Sequence, residues 1–162
     1  MRLTTRTTLA LRTLMVCAVN PDTVVRKSDV AAVVNASENH LAQVVNQLGQ
    51  EGFLTTLRGR NGGFVLARPA SEISVGGLFR VFEAELPFLE CFGPSNTCPL
   101  KGVCRMAAPI ARAVEAFYAS LDPLTLHDLV VCNDGMAAIL TLDDLTRGSA
   151  RAQCSSRQAV PA

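Results

Sequence analysis

The sequence lacks the features that mark several large classes of protein. It has no tryptophan and one tyrosine, which excludes a surface of stacked aromatic side chains for binding single-stranded nucleic acid. Its two histidines lie in separate segments, so no Ser-His-Asp catalytic set is indicated. No glycine-rich loop stands between a strand and a helix, as a phosphate-binding loop requires. We therefore do not expect an enzyme.

Long apolar runs are also absent. No stretch approaches the roughly 18 consecutive apolar residues that indicate a membrane-spanning helix. The apolar N-terminal stretch is interrupted by Arg6 and Arg12, and no small-residue cleavage site follows, so it does not resemble a signal peptide. We expect a cytoplasmic protein with no membrane partner. Thiols stay reduced in that compartment, and six cysteines there favour metal or redox chemistry over a disulfide framework.

The formal net charge is only +1 over 162 residues, but the charge is unevenly distributed. Residues 1–68 contain eight Lys and Arg against four Asp and Glu, whereas residues 69–146 contain four against ten. The apolar content, 49%, is sufficient for one packed domain. A basic N-terminal half joined to an acidic half indicates one face that binds a polyanion and another that stays away from it.

Periodic apolar residues predict three helices in the first fifty residues. The first spans residues 4–19, the second begins at Lys27 with Ser28 as its cap, and the third follows the cap residue Ser37 and ends near Gly52. Two short helices joined by a tight turn are typical of a helix-turn-helix.

A β-hairpin is predicted directly after these helices. Residues 53–57 and 64–66 are β-prone, and the sequence Asn61-Gly62 between them is a strong hairpin signal. Arg58 and Arg60 lie at the tip of this hairpin. A helix-turn-helix followed by a hairpin is the arrangement of a winged helix, so we predict a winged helix-turn-helix domain over residues 1–72.

Residues 73–131 are predicted to form a second helical region. Ser74 caps a helix that runs toward Leu86, an irregular loop follows, and a long helix with an apolar stripe begins at Met106. We favour burial of this stripe against the same helix of a second subunit, in a homodimer, over burial within one chain. Residues 132–162 are predicted to be a weakly ordered C-terminal tail. The predicted fold class is mainly α with a small β-hairpin wing, a long dimerisation helix and a cysteine-containing loop.

The irregular loop contains Cys91, Cys98 and Cys104. The intervening residues are turn-formers that let sulfur atoms converge, and the spacing is longer than structural zinc sites use. An iron-sulfur cluster is favoured, with zinc or a metal-free thiol switch as alternatives. Cys17 and Cys132 fit the ordinary pattern of a small buried apolar residue.

Four segments together are typical of one family. They are MRLTTRTTLALRTLM at the N-terminus, the wing sequence LRGRNGG, the three-cysteine segment, and AFYASLDPLTLHDLV. In these segments, which span residues 1–131, the sequence resembles the bacterial iron-sulfur winged-helix repressors that include NsrR, IscR and RirA. The stretch from Cys98 to Val131 is most similar to the NsrR branch, which senses nitric oxide.

The resemblance implies a homodimeric transcriptional repressor with an iron-sulfur cluster, [4Fe-4S] in preference to [2Fe-2S], held by Cys91, Cys98 and Cys104. Nitric oxide is the implied signal, with iron or redox state as the alternative. The fourth ligand is implied to be a residue other than cysteine. The IscR-like members have a histidine where this chain has Ala107, and the NsrR-like members commonly have a carboxylate where it has Thr8, the possible fourth-ligand position.

The partner implied by the fold is double-stranded DNA with a palindromic operator, because a two-fold dimer presents two related recognition helices. We expect base contacts in the major groove near the start of the third helix, minor-groove contacts from the wing, and phosphate contacts near the N-terminus. The residues are, respectively, Ser37, Asn39, His40 and Gln43; Arg58, Arg60 and Asn61; and Arg2 and Thr5.

Overall fold

The computed structural model describes residues 3–60, 62–83, 88–93, 96–100 and 102–142. These ranges contain seven α-helices and one antiparallel hairpin, which confirms the predicted fold class. None of these helices is both long and apolar enough to cross a membrane. The elements in chain order are α1 (Thr5–Val19), α2 (Lys27–Val34), α3 (Glu38–Gln50), β1 (Leu54–Leu57), β2 (Gly63–Leu66), α4 (Val75–Glu83), α5 (Ala107–Leu121), α6 (Leu126–Val130) and α7 (Asp134–Leu140).

The predicted recognition helix, α3, begins at the expected cap residue. The Ser37 Oγ accepts a hydrogen bond of 3.4 Å from the His40 backbone N–H, which satisfies one free donor of the first turn. The cap of α2 differs from the prediction. The Arg26 N–H donates to Asp29 Oδ2 at 3.1 Å, and Ser28 lies inside the helix, so its assignment as the cap was wrong.

The wing is joined to the helix-turn-helix by a third extended segment. Val25, just before α2, exchanges two backbone hydrogen bonds with Phe64 of β2, at 2.8 and 3.0 Å. Gly63 is required beside this contact, because a Cβ atom there would lie 2.4 Å from the Val25 carbonyl oxygen. The hairpin is therefore held in a fixed position next to α2 and α3.

The hydrophobic core lies where α1 packs on α3, α4 and α6. The start of α4 agrees with the prediction, since Ser74 Oγ accepts a 3.1 Å hydrogen bond from the Gly77 N–H. The predicted extension of this helix to Leu86 lies outside the described residues. The largest fully buried apolar side chains include Leu14, Leu41, Leu48, Phe64, Leu78 and Leu126.

The long helix α5 differs from the others because none of its residues is buried. Arg80 joins it to α4: the guanidinium donates to both carboxylate oxygens of Glu115, at 2.7 and 2.8 Å, and to Asp122 at 2.9 Å. The helix also packs Phe117, Tyr118 and Leu121 against the core. These contacts raise the pKa of Arg80 and hold the pKa of Glu115 below its ordinary value, with the hydrogen bond to Arg80 as the main cause. Four residues of the predicted stripe remain half-exposed in a single chain: Ile110, Val114, Phe117 and Leu121.

The helix α7 lies inside the segment predicted to be a weakly ordered tail. Its last residue, Leu140, is buried, and its carbonyl accepts a 2.9 Å hydrogen bond from the Asn20 side chain at the end of α1. The Asn20 Oδ1 also accepts a hydrogen bond of 3.0 Å from the Leu142 N–H. The expectation of weak order therefore does not hold for residues 134–142, because a buried asparagine fixes them. Residues 143–162 lie outside the described residues.

Candidate functional site

The exposed side of α3 presents the residues predicted to contact bases. Its buried side is formed by Leu41, Val44, Val45 and Leu48, as the periodicity predicted. Because the helix buries that one side, the opposite side faces solvent near its N-terminal end. The structure places all four predicted residues there, exposed: Ser37, Asn39, His40 and Gln43.

A groove of about 540 Å³ separates α3 from the wing. Arg60 at the wing lines one side, and Arg26 and Lys27 at the start of α2 line another. Arg58 is exposed on the wing, and Asn61 lies outside the described residues. Three cationic side chains therefore line the groove together with one acidic residue, Glu38, and the cations suit a nucleic-acid backbone.

Sequence reasoning missed three residues of this groove. Arg26 and Lys27 are adjacent cations at the start of the predicted second helix, which was the available signal. Asn46, exposed and three residues after Gln43, is the third. Asparagine pairs well with adenine in the major groove, so helical spacing from Gln43 could have identified it.

The first turn of α1 lies beside the recognition helix. Thr5 is exposed there, and Arg2 lies outside the described residues. The Arg6 Nη2 donates a 2.8 Å hydrogen bond to the Gln47 Oε1 on α3. Thr8, the predicted fourth-ligand position, is half-buried, and its hydroxyl donates a hydrogen bond of 3.2 Å to the Thr4 carbonyl.

The three loop cysteines are free thiols that solvent reaches. Cys91 and Cys98 are half-buried, and Cys104 is exposed. Asn96 links the first two: its side-chain Nδ2 donates to the Cys91 carbonyl at 3.3 Å, and its Oδ1 accepts from the Cys98 N–H at 2.9 Å. The donor type suits an iron-sulfur cluster, which binds thiolates. Within the described residues, however, no three His, Cys, Asp or Glu side chains are grouped closely enough to hold a metal ion.

The cysteines outside the loop have different surroundings. Cys17 in α1 is 2% exposed, and burial raises its pKa to about 12, which suppresses the reactive thiolate. Cys132 is exposed with φ 54, so the expectation that it is a buried apolar residue was wrong. The loop cysteines are not core residues, because they are accessible to solvent whereas Cys17 is buried.

Apolar side chains next to the loop cysteines are exposed. Leu100 is 56% exposed, Val103 76% and Met106 63%, and Phe92 is exposed beside Cys91. They continue onto the half-exposed stripe of α5. An apolar surface of this kind on a small protein marks a surface that another molecule or subunit covers.

The fold and the groove between α3 and the wing define the class of protein. A helix-turn-helix, a hairpin with exposed arginines and a groove rimmed by cations together form a winged-helix DNA-binding domain. The helices that follow form a second region, which holds the free thiols. The class is therefore that of a winged-helix transcriptional regulator.

Comparison with known proteins identifies the family. The model of the Rrf2 family, described as an iron-dependent transcriptional regulator, matches residues 3–131. The chain belongs to the Rrf2 family.

Two relatives named as transcriptional regulators cover most of this chain. The transcriptional repressor NsrR of Streptomyces coelicolor is 42% identical over 150 residues, which is 91% of this chain and 100% of that protein. The regulator NsrR of Geobacillus kaustophilus is 39% identical, over 86% of this chain and 97% of its own. The chain is thus similar throughout to transcriptional regulators and is a regulator rather than an enzyme.

Solved structures agree on the fold. The structure of CymR, the global cysteine regulator of B. subtilis, matches with a TM-score of 0.62 and 25% identity, over 80% of this chain and 96% of that one. The structure of T. potens IscR matches with a TM-score of 0.62 and 23% identity, over 80% of this chain and 86% of that one. The second likeness concerns the fold alone.

Proposed function

We propose that this transcriptional repressor holds an iron-sulfur cluster through Cys91, Cys98 and Cys104 and releases its operator when nitric oxide attacks the cluster. The observation behind this proposal is the set of three free, accessible thiols on one loop between α4 and α5. Similarity to two NsrR regulators over most of the chain supports it.

The chemistry of the loop suits this role. Iron prefers thiolate ligands, and the three loop thiols are accessible whereas Cys17 is buried. Asn96 already holds the backbone of Cys91 near that of Cys98. The remaining thiol, Cys104, follows a turn in which its N–H donates 3.0 Å to the Leu100 carbonyl. Cys91, Cys98 and Cys104 would hold the cluster through their three sulfur atoms.

Thr8 would be a weak fourth ligand for the proposed [4Fe-4S] cluster. A threonine hydroxyl is a poor iron ligand, and the Thr8 hydroxyl is engaged with the Thr4 carbonyl. Three thiolates from the loop would leave one iron open to a small molecule such as nitric oxide. This feature favours a sensor over a permanently closed electron-transfer site.

DNA binding is proposed to require a homodimer. The half-exposed stripe of α5 packs against its copy about a two-fold axis, and each subunit places α3 in a major groove of a palindromic operator. Ser37, Asn39, His40 and Gln43 then contact bases, with Arg2 and Thr5 at phosphates. The wing residues Arg58, Arg60 and Asn61 enter the adjacent minor groove.

Purification without oxygen tests the cluster. The expected result is a brown protein that absorbs near 400 nm, contains iron and sulfide in each subunit, and loses both that absorbance and its operator binding as nitric oxide is added. A colourless protein that binds the operator with full affinity, or one that contains zinc in place of iron, would contradict the proposal.

A metal-free thiol regulator is the second candidate. The observation in its favour is that the described thiols are free but not grouped around one point. In that case an oxidant forms a disulfide within the loop of iron-free protein and releases DNA. Iron-free protein is treated with oxidant and divided into an operator-bound and an unbound fraction. Mass spectrometry of peptides from each fraction shows whether the loop disulfide accompanies release of DNA, which separates the two candidates.

A further inference from the structure

The last residue of α4, Glu83, contacts the first turn of α1. Its Oε1 accepts hydrogen bonds from the Thr4 backbone N–H at 2.9 Å and from the Thr4 hydroxyl at 3.1 Å, and it also accepts one from the Thr7 hydroxyl. Thr7 is fully buried and Glu83 half-buried. One carboxylate oxygen thus accepts three hydrogen bonds from the start of α1. Thr4 and Glu83 are 79 residues apart in the sequence.

The charge of Glu83 suits this position. The N-terminal end of a helix has a partial positive charge and unpaired N–H groups. The first turn of α1 contains no acidic residue of its own. Glu83 therefore supplies from α4 the negative charge that α1 lacks, and hydrogen bonds to an ionised acceptor are stronger than neutral ones.

The same turn of α1 is joined to the recognition helix. Arg6 lies between Thr4 and Thr7 in the sequence, and its guanidinium donates 2.8 Å to the Gln47 side chain on α3. A change in the position of this turn is therefore passed directly to α3, which presents the residues proposed to contact bases.

On its other side Glu83 ends α4, eight residues before Cys91. We propose that Glu83 is a positioning residue that couples the cysteine loop to the recognition helix through Thr4 and Thr7, an inference that rests on the sensing function proposed above. The state of the loop sets the position of the end of α4, and Glu83 transmits that position to α1.

Removal of either side of the contact tests the coupling. The variants are Glu83→Ala and Thr7→Val, and Thr13→Val is the matched control. Thr13 is equally buried in α1, but its hydroxyl donates 2.7 Å to the Leu9 carbonyl of the same helix. For each protein the operator Kd is measured with and without the cluster, together with the cluster absorbance of each subunit.

We expect Glu83→Ala and Thr7→Val to reduce the ratio of the two Kd values about tenfold, within the range of typical coupling between sites. Cluster absorbance stays unchanged, and Thr13→Val keeps the wild-type ratio. Glu83→Gln retains a carbonyl acceptor without the charge, so we expect an intermediate ratio. Gln47→Ala added to Glu83→Ala causes little further loss, because both lie on one path.

Wild-type ratios in both Glu83→Ala and Thr7→Val would overturn the coupling and leave the sensing function intact. Equal operator binding by wild-type protein with and without the cluster would instead contradict the sensing function. In that case, amide hydrogen exchange in cluster-free protein tests whether Glu83 positions the first turn of α1, independently of sensing. That role requires faster exchange in the first turn of α1 for Glu83→Ala than for Thr13→Val, and equal rates would refute it.

Discussion

The DNA-binding region and the cysteine-loop region are stabilised in different ways. The first packs fully buried side chains such as Leu14, Leu41 and Phe64 around one core. In the second, α4 and α6 add Leu78 and Leu126 to the same core, but α5 has no buried residue, and Arg80 joins it to α4 through Glu115 and Asp122. The difference therefore lies in α5 and the cysteine loop, which leave apolar surface and free thiols uncovered.

This difference suits a regulator. A domain that binds DNA needs a rigid surface, and a dense apolar core supplies it. A region that responds to a signal needs a part whose structure depends on what is bound to it, and such parts have few buried contacts. The cluster and the second subunit are the two proposed partners that cover the exposed surface.

The largest expected effect separates the two kinds of cysteine. Cys98→Ser removes a proposed ligand, and a hydroxyl does not replace thiolate on iron, so iron, sulfide and absorbance near 400 nm are lost. Cys17→Ala is the control because Cys17 is buried in α1, and it retains the full iron content. Retention of the cluster by Cys98→Ser, measured by iron and sulfide analysis, would contradict the assignment.

The next effect compares leucines of the two regions. Leu48→Ala deletes a fully buried side chain, and we expect it to lower the free energy of unfolding by about 3 kcal/mol. Leu100→Ala, on the exposed loop, costs less than about 0.5 kcal/mol in cluster-free protein. Urea denaturation measures both changes. A cost at Leu100 as large as that at Leu48 would show that the loop is packed as densely as the core.

A charge on the stripe of α5 tests the second subunit. Ile110 lies on the half-exposed stripe, and Ile110→Asp places a carboxylate in the proposed interface. We expect the dimer Kd to rise about 100-fold, equivalent to about 2.7 kcal/mol. Ala119→Asp is the control, because Ala119 is exposed on the opposite side of the helix from Ile110. Light scattering after gel filtration gives the mass of each, and dimers of equal stability would rule out this interface.

A smaller effect concerns the wing. Arg60→Ala removes an exposed cation from the rim of the groove, and we expect operator affinity to fall about tenfold, with the slope of log K against log salt reduced by about 0.9. Arg112→Ala on α5 removes the same charge away from that groove and serves as the control. Fluorescence anisotropy at several salt concentrations measures both. Identical slopes for the two variants would show that Arg60 does not neutralise charge on the DNA.

The elements that sequence could predict are those set by local chemistry. The Ser37 cap and the buried side of α3 follow from neighbouring residues, and the Asn61-Gly62 signal placed the hairpin. The structure adds contacts between distant segments, which leave no local pattern. The Val25 pairing with Phe64 and the Glu83 contact with Thr4 are of this kind.

The candidate site divides in the same way. Exposure of Gln43 and its neighbours could be predicted, because helix periodicity fixes which side is buried. The path of the cysteine loop could not, because turn-forming residues allow many backbone conformations. The helix α7 was missed because its seven residues have a weak pattern, and its position depends on Asn20, at the C-terminal end of α1.

The smallest expected effect is the pH dependence of the charged junction between α4 and α5. Arg80 lowers the pKa of Glu115 below its ordinary value of 4.5, so the pair stabilises the folded protein above that pH. Its contribution is lost as the pH falls through the lowered pKa. We expect Glu115→Gln to reduce the thermal midpoint slightly at pH 7 and to match the wild type in acid.

Salt distinguishes this junction from the core. Because Glu115 is exposed, high salt screens its ion pair, so the Glu115→Gln effect should vanish in 1 M sodium chloride, at about a 3 Å screening length. The effect of Leu48→Ala should persist there, because apolar burial does not depend on charge. Glu72→Gln, an exposed carboxyl away from Arg80, controls for net charge. A Glu115→Gln effect that is unchanged by salt and by acid would show that the junction depends on packing rather than on charge.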